Sequence, residues 1–484
     1  MDEDPATAVR RDRFSGGPAR SFLSSMDADE RIFAADLAVD RAHVVMLDEQ
    51  DILESETAGA ILSALDAIEE AGYDALPDAE DIHEAIETQV IEEVGDIGGT
   101  MHTARSRNDE VATCIRYRLR EDLLDLTTTI TDLRAVLAAV AERHVETIMP
   151  GYTHLQPAQP ITVAHWACSY ERTLARDVDR FLDTYDRVNQ SPLGGAAFAG
   201  TPFPIDRELT AALLGFDGIV ENAMDASASR DTPAEALGET AMLAVTLSGI
   251  AEDVILFSHR GFLDLEDDFA STSSIMPQKK NPDTLELVRA TAGEAVGSAT
   301  GLLTTLKGLP RAYNRDLQQA STHLWETIDL VNEATRVTAG ALDTAVWDQS
   351  ALEAAAGEGF PTATGVADLL AMHGIPFRTA HKLVATAADV DADDRVSAIE
   401  QAAAIVLDED LWSPVDQSDL ETVLDPAGSV ASRDSTGGPA ASAVLEQLET
   451  VQADLESDVA AIEQRESNLA RARAQLAREV EGRV

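Results

Sequence analysis

The sequence predicts an all-α protein made of three helical domains. Three observations carry that prediction. Apolar residues recur at spacings of three and four over long stretches, alternating strand patterns with turn dipeptides are almost absent, and the helical segments shorten after about Gly357, where prolines punctuate them. At 484 residues the chain exceeds the size at which one core stops growing, so two or three domains are expected.

The first domain, residues 1–106, has a polar start and helices over Asp29–Asp48 and Ser55–Ala71. Glu80-Asp81-Ile82-His83 leads into a further helical run that ends near Gly95, and Gly98-Gly99 breaks it. The central domain, residues 107–356, holds the long helices. In Val111–Val145 the residues Leu119, Leu123, Leu126, Ile130, Leu133, Leu137 and Val140 form one apolar stripe. Comparable stretches cover Thr162–Val188, Thr232–Phe257, Pro282–Leu306 and Asp316–Ala339, a bundle of about five long helices. Thr232-Pro233-Ala234-Glu235 reads as a capping box with a first-turn proline, and Asn281-Pro282 as a cap with another. In the third domain, residues 357–484, Pro361, Pro376, Pro414, Pro426 and Pro439 separate shorter helices. Its last segment, Ala440–Val484, reads as one or two amphipathic helices that either pack on the protein or bind a partner.

Composition narrows the class. Asp and Glu outnumber Lys and Arg by 87 to 36, a net charge of −51, which disfavours binding to a phosphate backbone. The excess is spread along the chain, a distribution suited to a high-salt cytoplasm in which screening shortens self-repulsion; an ordinary acidic protein is the alternative. Cys114 and Cys168 are the only cysteines, Met1–Arg20 is charged rather than apolar, and no uninterrupted apolar run reaches membrane-spanning length. A cytoplasmic protein with neither membrane nor nucleic-acid partner is expected. No HExxH or zinc-type Cys/His spacing occurs, and the glycines match neither a Walker loop nor a dinucleotide fingerprint, so no metal and no cofactor is expected.

Four polar strings carry chemistry. Thr272-Ser273-Ser274-Ile275-Met276-Pro277-Gln278-Lys279-Lys280-Asn281-Pro282 holds two of the chain's four lysines, adjacent serines and two prolines. A hydroxyl that loses a proton and cations that fix carboxylates would use such a loop. Gly151-Tyr152-Thr153-His154-Leu155-Gln156-Pro157-Ala158-Gln159-Pro160 is kept extended by its prolines, and His154 is either a satisfied loop histidine or a proton-transfer group. Met101-His102-Thr103-Ala104-Arg105-Ser106-Arg107-Asn108-Asp109-Glu110 precedes the first long helix, either as a capped, salt-bridged start or as a dicarboxylate site. Ala312-Tyr313-Asn314-Arg315-Asp316-Leu317-Gln318 offers hydrogen bonds and a cation at another helix entry.

The first string resembles the SSxMPxKxNP signature of the fumarase/aspartase superfamily. With HTARSRND, GYTHLQPAQP and AYNRDLQ in this order, nearly the whole chain resembles the argininosuccinate lyase family. That resemblance implies a homotetramer with a twenty-helix core and active sites each shared by three subunits. It implies reversible elimination of argininosuccinate, a small-molecule substrate, to arginine and fumarate without a cofactor. Carried over residue by residue, Ser273 is the base and His154 the general acid or a charge relay with Glu286, which of Ser273 and His154 takes the first proton staying open. Ser25, Arg107, Asn108, Thr153, Lys279, Asn281, Tyr313 and Gln318 contact substrate. The chain departs from the family pattern where Ser321 replaces a lysine, Arg315 a lysine, Thr272 and Ala104 glycines, and Ile86 an asparagine. Another fumarate-releasing enzyme such as adenylosuccinate lyase, or a non-catalytic crystallin-like protein, are the alternatives.

Overall fold

A computed structural model describes residues 19–407, 411–412 and 415–484; the polar start through residue 18 and Pro414 lie outside the described residues. The protein is all-α apart from short two-stranded ladders. The five longest central helices run Arg107–Arg143, Val163–Val188, Asp231–His259, Asp283–Leu306 and Gln318–Thr344. Arg107–Arg143 packs along Val163–Val188, and Asp231–His259 along Asp283–Leu306. All seven residues of the predicted stripe, Leu119 to Val140, are fully buried.

Helix ends follow local chemistry, and some differ from expectation. The first long helix starts at Arg107, four residues before the expected Val111, because Ser106 and Asp109 form a capping box. Thr232 is not a cap: that helix begins at Asp231 with Arg230 as the flanking residue and no side-chain cap. Asn281 is not a cap either, since it pairs with Ser271 in a two-residue ladder and Pro282 takes the cap position. The Gly151–Pro160 string, expected as an extended segment, lies in an antiparallel hairpin of Ile148–Thr153 with Gln156–Thr162. Its register shifts between Pro150 and Tyr152, at Gly151, where a Cβ would stand 2.7 Å from the Gln159 carbonyl.

The chain's end is one helix of 41 residues, Ala441–Glu481. Its buried Val444, Leu448, Val451, Leu455, Ile462, Leu469, Leu476 and Val480 join the main core, in contact with the Arg107 and Val163 helices. A second apolar cluster spans residues 366–423. Asp231–His259 is the one described helix long and apolar enough to cross a membrane, but half of that window is buried inside the fold, as in a core helix.

Candidate active site

A cavity of about 280 Å³ opens where the first domain meets the entries of two long helices. Ser25, Arg107, Asn108, Tyr313 and Gln318 all line it, although they lie in three distant stretches of sequence. Four of them are held in place by bonds to other segments. Ser25 donates from Oγ to Asp29 Oδ2 at 2.6 Å, while its N–H meets the Glu80 carbonyl at 2.8 Å. Arg107 and Asn108 occupy the first turn of the capped helix, where free N–H groups and the helix dipole favour anions. Arg107 Nη1 pairs with Asp81 Oδ2 at 3.1 Å, and Asn108 Nδ2 donates to the Ala197 carbonyl at 3.1 Å. Gln318 Nε2 donates to the Leu23 carbonyl at 3.1 Å, tying the third segment to the first domain.

Two positions that depart from the family pattern share this wall. Arg315 pairs with Glu80 at 2.6 Å and also reaches the Leu23 carbonyl, while Ser321 offers a hydroxyl and no charge. Ile86 is buried in the main core and does not line the cavity.

The remaining expected site residues lie elsewhere in the single chain and do not line this cavity. Thr153 and His154 sit exposed at the hairpin tip. Thr153 pairs with Gln156, so His154 and Leu155 form a two-residue turn, both with positive φ (54° and 57°). Ser273, Lys279 and Asn281 belong to a clasp closed by the ladder Ser271–Thr272 with Lys280–Asn281. Thr272, where the family pattern has glycine, is a strand residue here, which suits a β-branched side chain. Within the clasp the Ser273 hydroxyl oxygen accepts N–H groups from Met276 at 3.1 Å and Ile275 at 3.4 Å. Two donors aimed at one oxygen lower the cost of negative charge on it. Lys280 is bound to Asp264, Asp267 and the Leu265 carbonyl, whereas Lys279 is exposed and has no ion-pair partner among the described residues. Glu286 is exposed in the first turn of the next helix.

Beneath the cavity lies a buried charge network that sequence reasoning missed. His83 Nδ1 meets Asp36 Oδ2 at 2.8 Å; Arg105 pairs with Asp40 at 2.5 Å and Glu110 at 2.9 Å. Burial works against a charge on His83, but Asp36 and Glu110 outweigh it and hold its pKa up at about 10. Burial pushes Asp40 up to about 6 against the pull of Arg105, and Asp29 likewise to about 6 against His83. His102 stands 3.5 Å from Glu87, yet burial and then Arg105 push its pKa down to about 3, so this pair is not ionic near neutral pH. Ligand atoms of Asp36, His83 and Cys114, and of Asp36, Asp40 and Glu110, come within metal-binding spacing. The guanidinium of Arg105 and the imidazolium of His83 already supply positive charge there, so the donor set reads as an ion-pair network. The signal was available: Asp36 and Asp40 fall four apart on the face of a helix otherwise filled with Ala, Leu and Val.

Asp109 was also missed as more than a cap. Besides accepting from the Ser106 N–H, it receives N–H groups from Gly194 at 2.9 Å and Ala196 at 2.8 Å, which locks the glycine-rich loop against Asn108.

A helical fold with polar loops at the bundle ends and a carboxylate- and arginine-lined cavity defines a class, the lyases. A model described as Lyase matches residues 23–297, and one described as Argininosuccinate lyase C-terminal matches residues 360–431. Among solved structures, an EDDS lyase crystallised with formate is 32% identical with a TM-score of 0.84, over 97% of this chain and 96% of that one. A class II fumarase from Schistosoma mansoni, 16% identical with a TM-score of 0.69 over 82% of this chain and 90% of that one, shares the fold. The argininosuccinate lyase of the halophilic archaeon Haloarcula marismortui is 64% identical, over 92% of this chain and 90% of that protein. That of Methanothrix thermoacetophila is 48% identical over 91% of both chains. The chain belongs to the argininosuccinate lyase family.

Proposed function

We propose that the protein cleaves argininosuccinate to arginine and fumarate, reversibly, as a cytoplasmic homotetramer in which three subunits build each site. The observation that carries this reading is the cavity. It gathers Ser25, Arg107, Asn108, Tyr313 and Gln318 with the carboxylates of Asp29, Glu80 and Asp81. Such a lining complements a substrate with a guanidinium, an amino group and carboxylates.

In this mechanism Ser273 takes a proton from the carbon beside a substrate carboxylate. Its oxygen accepts the N–H groups of Ile275 and Met276, and Lys279 of the same loop has no ion-pair partner among the described residues. The carbanion's charge spreads into the carboxylate, which Lys279, Asn281 and Thr153 hold. The C–N bond then breaks as His154, supported by Glu286, gives the leaving guanidino nitrogen a proton. His154 at the hairpin tip and Ser273 in the clasp both lie away from the cavity in one chain, and this supports composite sites. Exposed apolar residues on two long helices, Met242 and Val245 on one and Leu287, Val296 and Leu303 on the other, offer the surface for assembly.

The test is fumarate absorbance when the purified protein meets argininosuccinate in molar salt. The wild type is expected to release fumarate and Ser273→Ala to lose roughly 10²–10⁴-fold in kcat, the scale of a removed general base. No fumarate from a correctly assembled wild type, with adenylosuccinate as the control substrate, overturns the assignment.

A further inference from the structure

We propose that Arg230 is a further substrate-binding residue, seating the carboxylate of the arginine half of argininosuccinate in this cavity. The inference rests on the lyase reading and goes beyond it. The cavity wall holds four groups that can carry positive charge: His83, Arg107, Arg230 and Arg315. Three have carboxylate partners, namely Asp36 for His83 at 2.8 Å, Asp81 for Arg107 at 3.1 Å and Glu80 for Arg315 at 2.6 Å. Arg230 has none among the described residues. It is only 4% exposed, donates from Nη1 to the Ser229 carbonyl at 3.0 Å, and leaves Nε buried without a partner.

Its surroundings make the missing anion more conspicuous. Arg116, a second buried guanidinium, acts against its charge and spends its own N–H groups on the Arg187 and Val188 carbonyls and Ser229 Oγ. Arg230 also flanks the N-terminus of the 29-residue helix Asp231–His259, which has no side-chain cap, so the positive end of that helix adds to the same potential. Burial pulls the Arg230 pKa down to about 10, and the tyrosine hydroxyl of Tyr313 is the one neighbour that raises it. A buried cation with no counter-charge is unfavourable unless a ligand supplies one.

The substrate's charges divide accordingly. Two of its carboxylates belong to the half that becomes fumarate and must meet the elimination groups. The third, on the arginine half, is left for this cavity, where Asp29 suits the neighbouring amino group. Ser321 in the same wall offers no charge to compete for it.

Calorimetric titration of the full-length protein in molar salt with arginine, and with agmatine, which is arginine lacking its carboxylate, tests this. In the wild type agmatine should bind about 10- to 100-fold more weakly than arginine, the scale of one hydrogen-bonded charge pair. Arg230→Gln should weaken arginine by that factor and leave agmatine within about twofold, raising KM for argininosuccinate more than it lowers kcat. Arg230→Lys should restore much of the preference. Equal binding of both ligands by the wild type, or equal loss of both in Arg230→Gln, overturns the proposal. The wild-type comparison stands even where a variant fails to fold. Because binding needs no turnover, a wild type that releases no fumarate would defeat the lyase reading alone.

Discussion

Among the described residues, four of the six non-glycine residues with positive φ lie in the polar strings, Ala104, His154, Leu155 and Ala312, and Ala196 lies in the glycine-rich loop that Asp109 holds, all at 50–65°. Each costs about 1–2 kcal/mol against its preferred backbone, and such strain concentrates where side chains must be aimed. At the hairpin tip the reason is visible, since a turn that favours Asn-Gly carries His-Leu and so presents an imidazole to solvent. Ala104 has no side chain to present, and the family pattern has glycine there. Ala104→Gly is therefore expected to stabilise the protein by about 0.5–1 kcal/mol. A raised denaturation midpoint at unchanged slope is the readout, and a lowered midpoint would refute the strain argument. The cavity residues Arg107, Asn108, Tyr313 and Gln318 were named through the family resemblance of their strings, since taken alone each string reads equally as an ordinary helix entry. The network of Asp36, Asp40, His83, Arg105 and Glu110 was not, because a carboxylate four residues from another looks the same in sequence whether it faces water or the core.

At the scale of elements, periodicity located all five long central helices, and caps decided their ends. Ser106 with Asp109 moved one start four residues toward the N-terminus, and the ladder through Asn281 moved another start to Asp283. Long helices are then locked to one another by buried ions. Arg134, in the middle of Arg107–Arg143 and fully buried, pairs with Glu171 of the Val163 helix at 2.9 Å and with Asp458 of the last helix. Arg134→Ala would leave Glu171 with Arg172 alone, at 2.6 Å, at a cost of about 1.5–3 kcal/mol, that of a hydrogen bond to a charged group. Thermal unfolding in constant salt should show that loss; a change below about 1 kcal/mol would mean water reaches Glu171. Arg134→Met should cost less when combined with Glu171→Leu, because the pair rather than the fold requires the charges.

For the whole molecule, charge and assembly pull in opposite directions. A net charge of −51 repels itself over roughly 10 Å at 0.1 M salt and over roughly 3 Å at 1 M. Bringing four such chains together multiplies the repulsion, while exposed Met242, Val245, Leu287, Val296 and Leu303 supply apolar surface to bury. The proposed tetramer is therefore expected to dissociate or unfold, with loss of activity, as salt is diluted below about 0.1 M. Sedimentation and fumarate release followed together across a salt series check this. A fully active tetramer in dilute buffer would refute it.

Helical class, the five long helices and the identity of the polar strings followed from sequence alone, because apolar spacing and residue type are local properties. Which strings meet did not. Only the tertiary structure placed Ser25, Arg107, Tyr313 and Gln318 around one cavity and left His154 and Ser273 outside it. It alone showed that Arg230 lacks a carboxylate among the described residues where Arg107 and Arg315 have one. Burial and counter-charge are set by residues distant in sequence, and the strength of an ionic interaction depends on the water that the whole fold excludes.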